Sequence, residues 1–280
     1  MIWYTLLEGV GLGALLVLVC AFGIRRGAVG MVHLYRRQAQ EMALRYGGHG
    51  RDLGDPFRRH DDFCPLRETR MLLRRKTMFW DRVAWVYDVF ANVINRRANR
   101  ELCAVVERLI SPEDEVLECA CGTGLLTGVI APRCRSLTAT DFSANMLKRA
   151  EKKYGRYKNV RFERADILAL DYPDGHFDTV VAANVIHLLD EPYKALRELD
   201  RVCRPGGRIV IPTYMNQTEK GTTNSVSGAI GRAGADFKRE FTPETYRKFF
   251  ADARYTDASY TLCRGRIPCA VAVLRKGRTE

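Results

Sequence analysis

The stretch Val116-Leu117-Glu118-Cys119-Ala120-Cys121-Gly122-Thr123-Gly124 holds the first residues whose types and spacing suit chemistry. An apolar run ends in a carboxylate and then passes through small residues into a helix-like segment. Small side chains let the backbone come close to a ligand, and a helix start adds free N–H groups and a positive dipole end. Three more apolar runs also end in polar residues. Asp141 stands 23 residues after Glu118, where an acid in a doubly wound fold can hydrogen-bond ribose hydroxyls. Asp166, in Ala165-Asp166-Ile167, can accept from the amino group of a purine, and Asn184-Val185-Ile186-His187 closes the fourth run. Each acid alone also suits a turn or a helix cap. Three of them at the carboxyl ends of successive strands describe a ligand site.

The elements that must position these groups follow from the apolar pattern. Strands are expected at 115–119, 136–140, 159–163, 179–183, 208–213, 257–262 and 270–274. Helical stretches are expected at 125–130, 143–153 and 192–202. Before them, Val83, Tyr87, Phe90 and Ile94 share one helical face, which Leu102, Val105, Val106 and Leu109 continue. Thr242-Pro243-Glu244 starts a last helix with a cap, a proline in the first turn and an acid near the positive dipole end. Alternating strands and helices predict an α/β fold over 77–280, a doubly wound and mostly parallel seven-stranded sheet.

Two segments precede that domain. From Ile2 to Ile24 the only ionisable acid or base is Glu8, and a helix of that length, rising about 1.5 Å per residue, spans the roughly 30 Å of a bilayer core. Arg25 and Arg26 follow at once and nothing basic precedes, so residues 1–24 are expected to form a single-pass membrane anchor with everything after Arg25 in the cytoplasm. A signal peptide would carry its charges on the other side. A start at Met31, Met71 or Met78 would omit the segment and leave a soluble cytoplasmic protein. Residues 25–76 form a basic connector with 13 Lys and Arg against six acids, suited to a solvated linker or to anionic headgroups.

Composition narrows the functional classes. The 280 residues are 46% hydrophobic and 28% charged, with a net charge of +12, which excludes a wholly disordered chain or a low-complexity fibre. Nine cysteines include no C-x-x-C pair, so they read as reduced core thiols, with no metal site expected. Residues 77–280 hold 32 basic against 26 acidic side chains. That surplus reads as too diffuse for RNA, and no nucleic-acid partner is expected.

The combination of Glu118-x-x-x-Gly122-x-Gly124, Asp141-Phe142-Ser143-x-x-Met146-Leu147, Ala165-Asp166 and Arg204-Pro205-Gly206-Gly207 resembles class I S-adenosylmethionine-dependent methyltransferases. Within them it is similar to the type 11 group, which includes ubiquinone/menaquinone and phosphatidylethanolamine methyltransferases. The resemblance runs from about Phe79 to Lys276. It implies a Rossmann-like fold and S-adenosyl-L-methionine as cofactor. Glu118 and the turn of Ala120, Cys121, Gly122, Thr123 and Gly124 would surround the methionyl moiety, Asp141 would bind the ribose, and Phe142 and Met146 would pack near the adenine. Asp166, with the Ile167 backbone, would meet the adenine amino group; Asn184 would line the methionyl side; Tyr87 would close over the cofactor. One departure stands out: Ala120 replaces the first glycine of the usual turn.

The acceptor is less legible. A methyl acceptor that carries a proton needs a base, and His187, just past the fourth strand, is the candidate. Tyr214, past the fifth, is a second candidate for orienting the acceptor. Cys119 and Cys121 suit packing of the turn better than nucleophilic attack. Residues 216–240, rich in Gly, Ser and Thr, fall where a lid over the acceptor would be. The expected reaction is in-line methyl transfer to a small-molecule or lipid-like acceptor. The alternatives are a non-catalytic cofactor-binding module and an RNA methyltransferase. Oligomeric state is not indicated.

Overall fold

The computed structural model describes residues 95–215 and 237–277. The expected anchor, the basic connector, Tyr87 and most of 216–240 lie outside the described residues. No described helix is long and apolar enough to cross a membrane.

The elements run α1 (Arg96–Leu109), β1 (Glu115–Cys119), α2 (Thr127–Ile130), β2 (Ser136–Asp141), α3 (Ala144–Tyr154), β3 (Val160–Arg164), β4 (Phe177–Ala182), α4 (Pro192–Val202), β5 (Cys203–Tyr214), α5 (Pro243–Asp252), β6 (Ala258–Cys263) and β7 (Cys269–Arg275). They build one seven-stranded sheet in the order β3-β2-β1-β4-β5-β7-β6. The first five strands pair in parallel. β7 pairs antiparallel with both β5 and β6. This is a mixed, doubly wound sheet, and the seven expected strands are all present.

The central strands are short apolar runs because helices cover both faces of a parallel sheet. All six residues of β4 are buried, as are the last four of β1. α4 opens with Pro192 and turns Ala195, Leu196, Leu199 and Val202 inward, the spacing of one helical face. α5 is capped reciprocally: Thr245 N donates to Thr242 Oγ1 and Thr242 N donates to Thr245 Oγ1, at 3.1 and 2.9 Å. Its Tyr246 and Phe250 are fully buried against the sheet, and the Tyr246 hydroxyl donates to Ile211 O.

Two of the boundaries that differ from expectation have a clear local cause. The helix after the glycine turn has only four residues, Thr127–Ile130, because the turn itself runs on to Leu126. Its dipole is correspondingly small. β5 begins at Cys203 rather than 208, since Phe177 pairs with Cys203 before a register shift. Arg204-Pro205-Gly206-Gly207 therefore lies within the strand as an irregularity.

α1 is fastened to the far end of the chain. The buried Asn95 side chain donates to Ile267 O at 3.0 Å and accepts from Ile267 N at 3.2 Å. Glu101 accepts from Arg264 N at 2.6 Å. Gly265 packs so closely on α1 that an added Cβ would stand 2.5 Å from the Ala98 Cβ.

Candidate active site

The strand order reverses at β1, which has β2 on one side and β4 on the other. The carboxyl ends of these strands form the crevice where open α/β sheets bind ligands. Glu118, Asp141 and Asn184 all stand at that edge, three of the four strand ends that the sequence singled out, and the fourth, Asp166, follows just past the end of β3.

The turn after β1 is held by its own backbone. Cys121 N donates to Thr140 O at 2.9 Å, Gly122 N to Asp141 Oδ2 at 2.8 Å, and Gly124 N to Cys121 O at 2.9 Å. Gly122 and Gly124 have φ of 57° and 89°, and Ala120 shares the left-handed region at 53°. That conformation is what a glycine in place of Ala120 would adopt freely, whereas the alanine Cβ makes it strained. The Tyr154 ring fills the space beside Gly124, where an added Cβ would come within 2.7 Å.

Glu118 is buried, and Thr127 Oγ1 donates to its Oε2 at 2.6 Å. Burial pushes this carboxyl up to about 8, only partly opposed by the Thr127 bond, so it is neutral at pH 7 in the ligand-free protein. Asp141 uses both oxygens: Oδ2 takes Gly122 N, and Oδ1 takes Ser143 N at 2.8 Å. Ser143 Oγ in turn accepts from Met146 N at 3.2 Å, capping α3 and setting the buried Met146 beside the strand end. Phe142 lies beneath Arg164, whose guanidinium is 5.3 Å from the ring centre. Asp166 Oδ1 accepts from Leu168 N at 2.9 Å, holding the turn that carries the buried Ile167.

On the other flank, Asn184 has φ of 53°, donates its N–H to Pro212 O at 2.7 Å and accepts Tyr214 N on Oδ1 at 3.1 Å. It ties the end of β4 to that of β5. His187 sits in a short helical turn, Ile186–Leu188. It is 3% exposed, and its Nδ1 has no hydrogen-bond partner among the described residues. Burial holds the imidazole down at about 4, hence neutral. The Phe237 ring stacks on it at 5.4 Å, and Lys238 N and Arg239 N both donate to His187 O. The Tyr214 hydroxyl donates to Asn99 Oδ1 of α1 at 2.8 Å.

Sequence reasoning missed Thr127, Ser143 and Phe237 as working parts. The Ser-x-x-Met spacing was a readable cap signal for Ser143. Thr127 carried none, because its contact with Glu118, nine residues earlier, is made by the fold of the intervening turn; Phe237 carried none, because its partner His187 is distant in sequence. The seven described cysteines are free thiols. Burial raises the Cys119 thiol to about 12 and Cys121 well above its ordinary value, which fits packing rather than attack. Among the described residues no group of His, Cys, Asp and Glu could hold a metal ion.

These residues fit S-adenosylmethionine: acids for an amine and a ribose, an apolar bed for a purine, and a backbone turn that leaves room. The fold is that of solved methyltransferases. DhpI in its SAH complex aligns with a TM-score of 0.56 and 20% identity over 74% of this chain and 98% of its own. The CurJ carbon methyltransferase aligns at 0.52 and 16%, over 78% and 72%. A model described as a methyltransferase domain matches residues 117–211. Phosphatidylethanolamine N-methyltransferase of Cereibacter sphaeroides is 33% identical over 150 residues, 52% of this chain and 71% of that protein. Demethylmenaquinone methyltransferase of Renibacterium salmoninarum is 33% identical over 141 residues, 50% of this chain and 58% of its own length.

Fold, site and relatives agree on one class, enzymes that transfer a methyl group from S-adenosylmethionine. The chain belongs to the class I S-adenosylmethionine-dependent methyltransferases, in the type 11 group.

Proposed function

We propose that this enzyme methylates a lipid-like or other small acceptor held over the ends of β4 and β5. The observation that carries the reading is the buried, neutral His187 at that end, whose Nδ1 has no hydrogen-bond partner among the described residues. Such a group can take the proton of an acceptor hydroxyl as its oxygen attacks the methyl, or the proton of an ammonium before the freed amine attacks. Two relatives named for a phospholipid amine and a menaquinone precursor support an acceptor of lipid character. Residues 2–24 would hold the enzyme at the membrane, with 77–280 in the cytoplasm. The apolar run and the arginines behind it support that placement.

Bound cofactor supplies a methyl on a sulfonium, open to in-line attack by a lone pair or carbanion. The chain supplies position, which is worth on the order of 7–11 kcal/mol of barrier. Asp141 and the Gly122 turn would fix the ribose end; Phe142, Met146, Asp166 and Ile167 would hold the purine; Glu118 would face the amine. Tyr87 would close over the cofactor from the preceding helical stretch. Asn184 and Tyr214 fix the two strand ends that frame the acceptor. Phe237 keeps water from His187.

The test is incubation of the full chain with isotopically labelled S-adenosylmethionine and separate extracts of phospholipid, quinone precursors and RNA, followed by mass spectrometry. Label in a phospholipid or quinone product supports the reading, and label in RNA alone overturns it. With the true acceptor, His187→Ala lowers kcat by about 10²-fold or more while cofactor affinity stays within about twofold. An unchanged kcat removes His187 from the chemistry.

A further inference from the structure

The charge of the globular part is gathered at one edge. From Lys148 to Arg164 the chain holds eight Lys and Arg against Glu151 and Glu163, a surplus of six that equals the surplus of all of 77–280. The diffuse distribution expected from sequence is thereby corrected. Lys148 and Lys152 stand on the side of α3 turned away from the buried Met146 and Ala150, while Arg149 and Lys153 lie nearer that buried face, Lys153 Nζ donating to Thr123 O at 3.2 Å. Arg156 and Lys158 are exposed in the following turn, and Arg161 and Arg164 are exposed on β3, the terminal strand of the sheet on this side. No described acid forms an ion pair with Lys148, Lys152, Arg156, Lys158, Arg161 or Arg164.

Three aromatic rings at this edge are already in use. Arg156 covers Tyr157 at 5.3 Å, Arg164 covers Phe142 at the same distance, and the Tyr154 ring is turned in against Gly124 and Gly128. A single-stranded nucleic acid needs open ring faces for its bases to stack on, and this surface instead offers cations over a helix flank, a turn and an edge strand. Basic side chains on an edge strand also keep it from pairing with another chain. Those on α3 and in the turn exceed what β3 needs for that purpose.

We propose that the α3–β3 edge docks on an anionic lipid surface, with headgroup phosphates as its counter-charges. Basic clusters of about this size are what such a surface recruits. The choice of membrane over another polyanion rests on the lipid-like acceptor proposed above. α3 starts directly after Asp141-Phe142-Ser143, and Arg164 Nε donates to Phe142 O at 3.0 Å. Docking would thus set the purine end of the cofactor site beside the headgroups.

The test is amine labelling of the full chain on phosphatidylcholine vesicles with and without phosphatidylglycerol, read residue by residue by mass spectrometry. Labelling of Lys148, Lys152 and Lys158 is expected to fall about threefold or more when phosphatidylglycerol is present and to recover in high salt. The exposed Lys194 and Lys248 on α4 and α5 should not change. Equal labelling on the two vesicles overturns the proposal and leaves a charge-protected edge. So does protection given by added single-stranded RNA but not by phosphatidylglycerol. Methylation of lipid is read separately in the same samples. Lipid methylation without protection removes only the docking surface, and protection without lipid methylation removes only the lipid acceptor.

Discussion

Ala120 is an alanine in a glycine's conformation. Its φ of 53° costs about 1–2 kcal/mol, while glycine there would add back about 0.4–1 kcal/mol of unfolded-chain entropy. Ala120→Gly should therefore raise stability by up to about 1 kcal/mol in denaturant unfolding, with cofactor affinity equal or tighter. A lower denaturation midpoint would contradict the strain. Asp141 shows a different dependence, because its two oxygens accept two backbone N–H groups before any ligand arrives. Asn in its place has one carbonyl oxygen for both. Asp141→Asn should cost about 1–3 kcal/mol of stability and about tenfold or more in cofactor affinity by calorimetry. Native affinity would exclude Asp141 from the site.

At the scale of elements, the sequence was most readable where one rule dominated. β1 and α4 lie where their apolar runs and the Pro192 start put them, and the Thr242 cap formed as its residues suggest. Glu118, Asp141 and Asn184 were legible because each ends a buried strand at the same edge. The four-residue α2 was misjudged because the Gly-rich turn continues through Leu125 and Leu126, apolar residues that resemble a helix face. The role of α1 was illegible for another reason: its partners lie in the β6–β7 connection, and no local pattern announces a contact of that range. Asn95→Ala removes both bonds to Ile267 and should lower stability by about 1–3 kcal/mol. Hydrogen exchange should show the loss concentrated in α1 and the β6–β7 connection. A uniform change, or none, would mean that α1 does not depend on this clasp.

For the whole molecule, two buried titrating groups set opposite pH limbs. Glu118, held at about 8 against an ordinary 4.5, contributes stability that is complete below 4.5 and lost as pH rises through 8. His187, held at about 4 against 6.5, contributes stability that is complete above 6.5 and lost as pH falls through 4. Unfolding of the ligand-free protein followed across this range should show Glu118→Gln flattening the alkaline limb and leaving the acid one. A wild-type alkaline slope in that variant would mean that Glu118 is ionised when buried. The clasp between Asn95 and Ile267 also sets a schedule for synthesis. Those residues are 172 positions apart, and at about 5–20 residues per second a ribosome takes on the order of 10–30 s to cover the interval. Throughout that time α1 has left the ribosome without its partner, while the strands that carry Glu118 and Asp141 are already made. The nascent enzyme can assemble its nucleoside-facing half early, but it completes the hold on α1 only as the β6–β7 hairpin emerges. Chains truncated before Ile267 should therefore leave α1 open to proteases and chaperones.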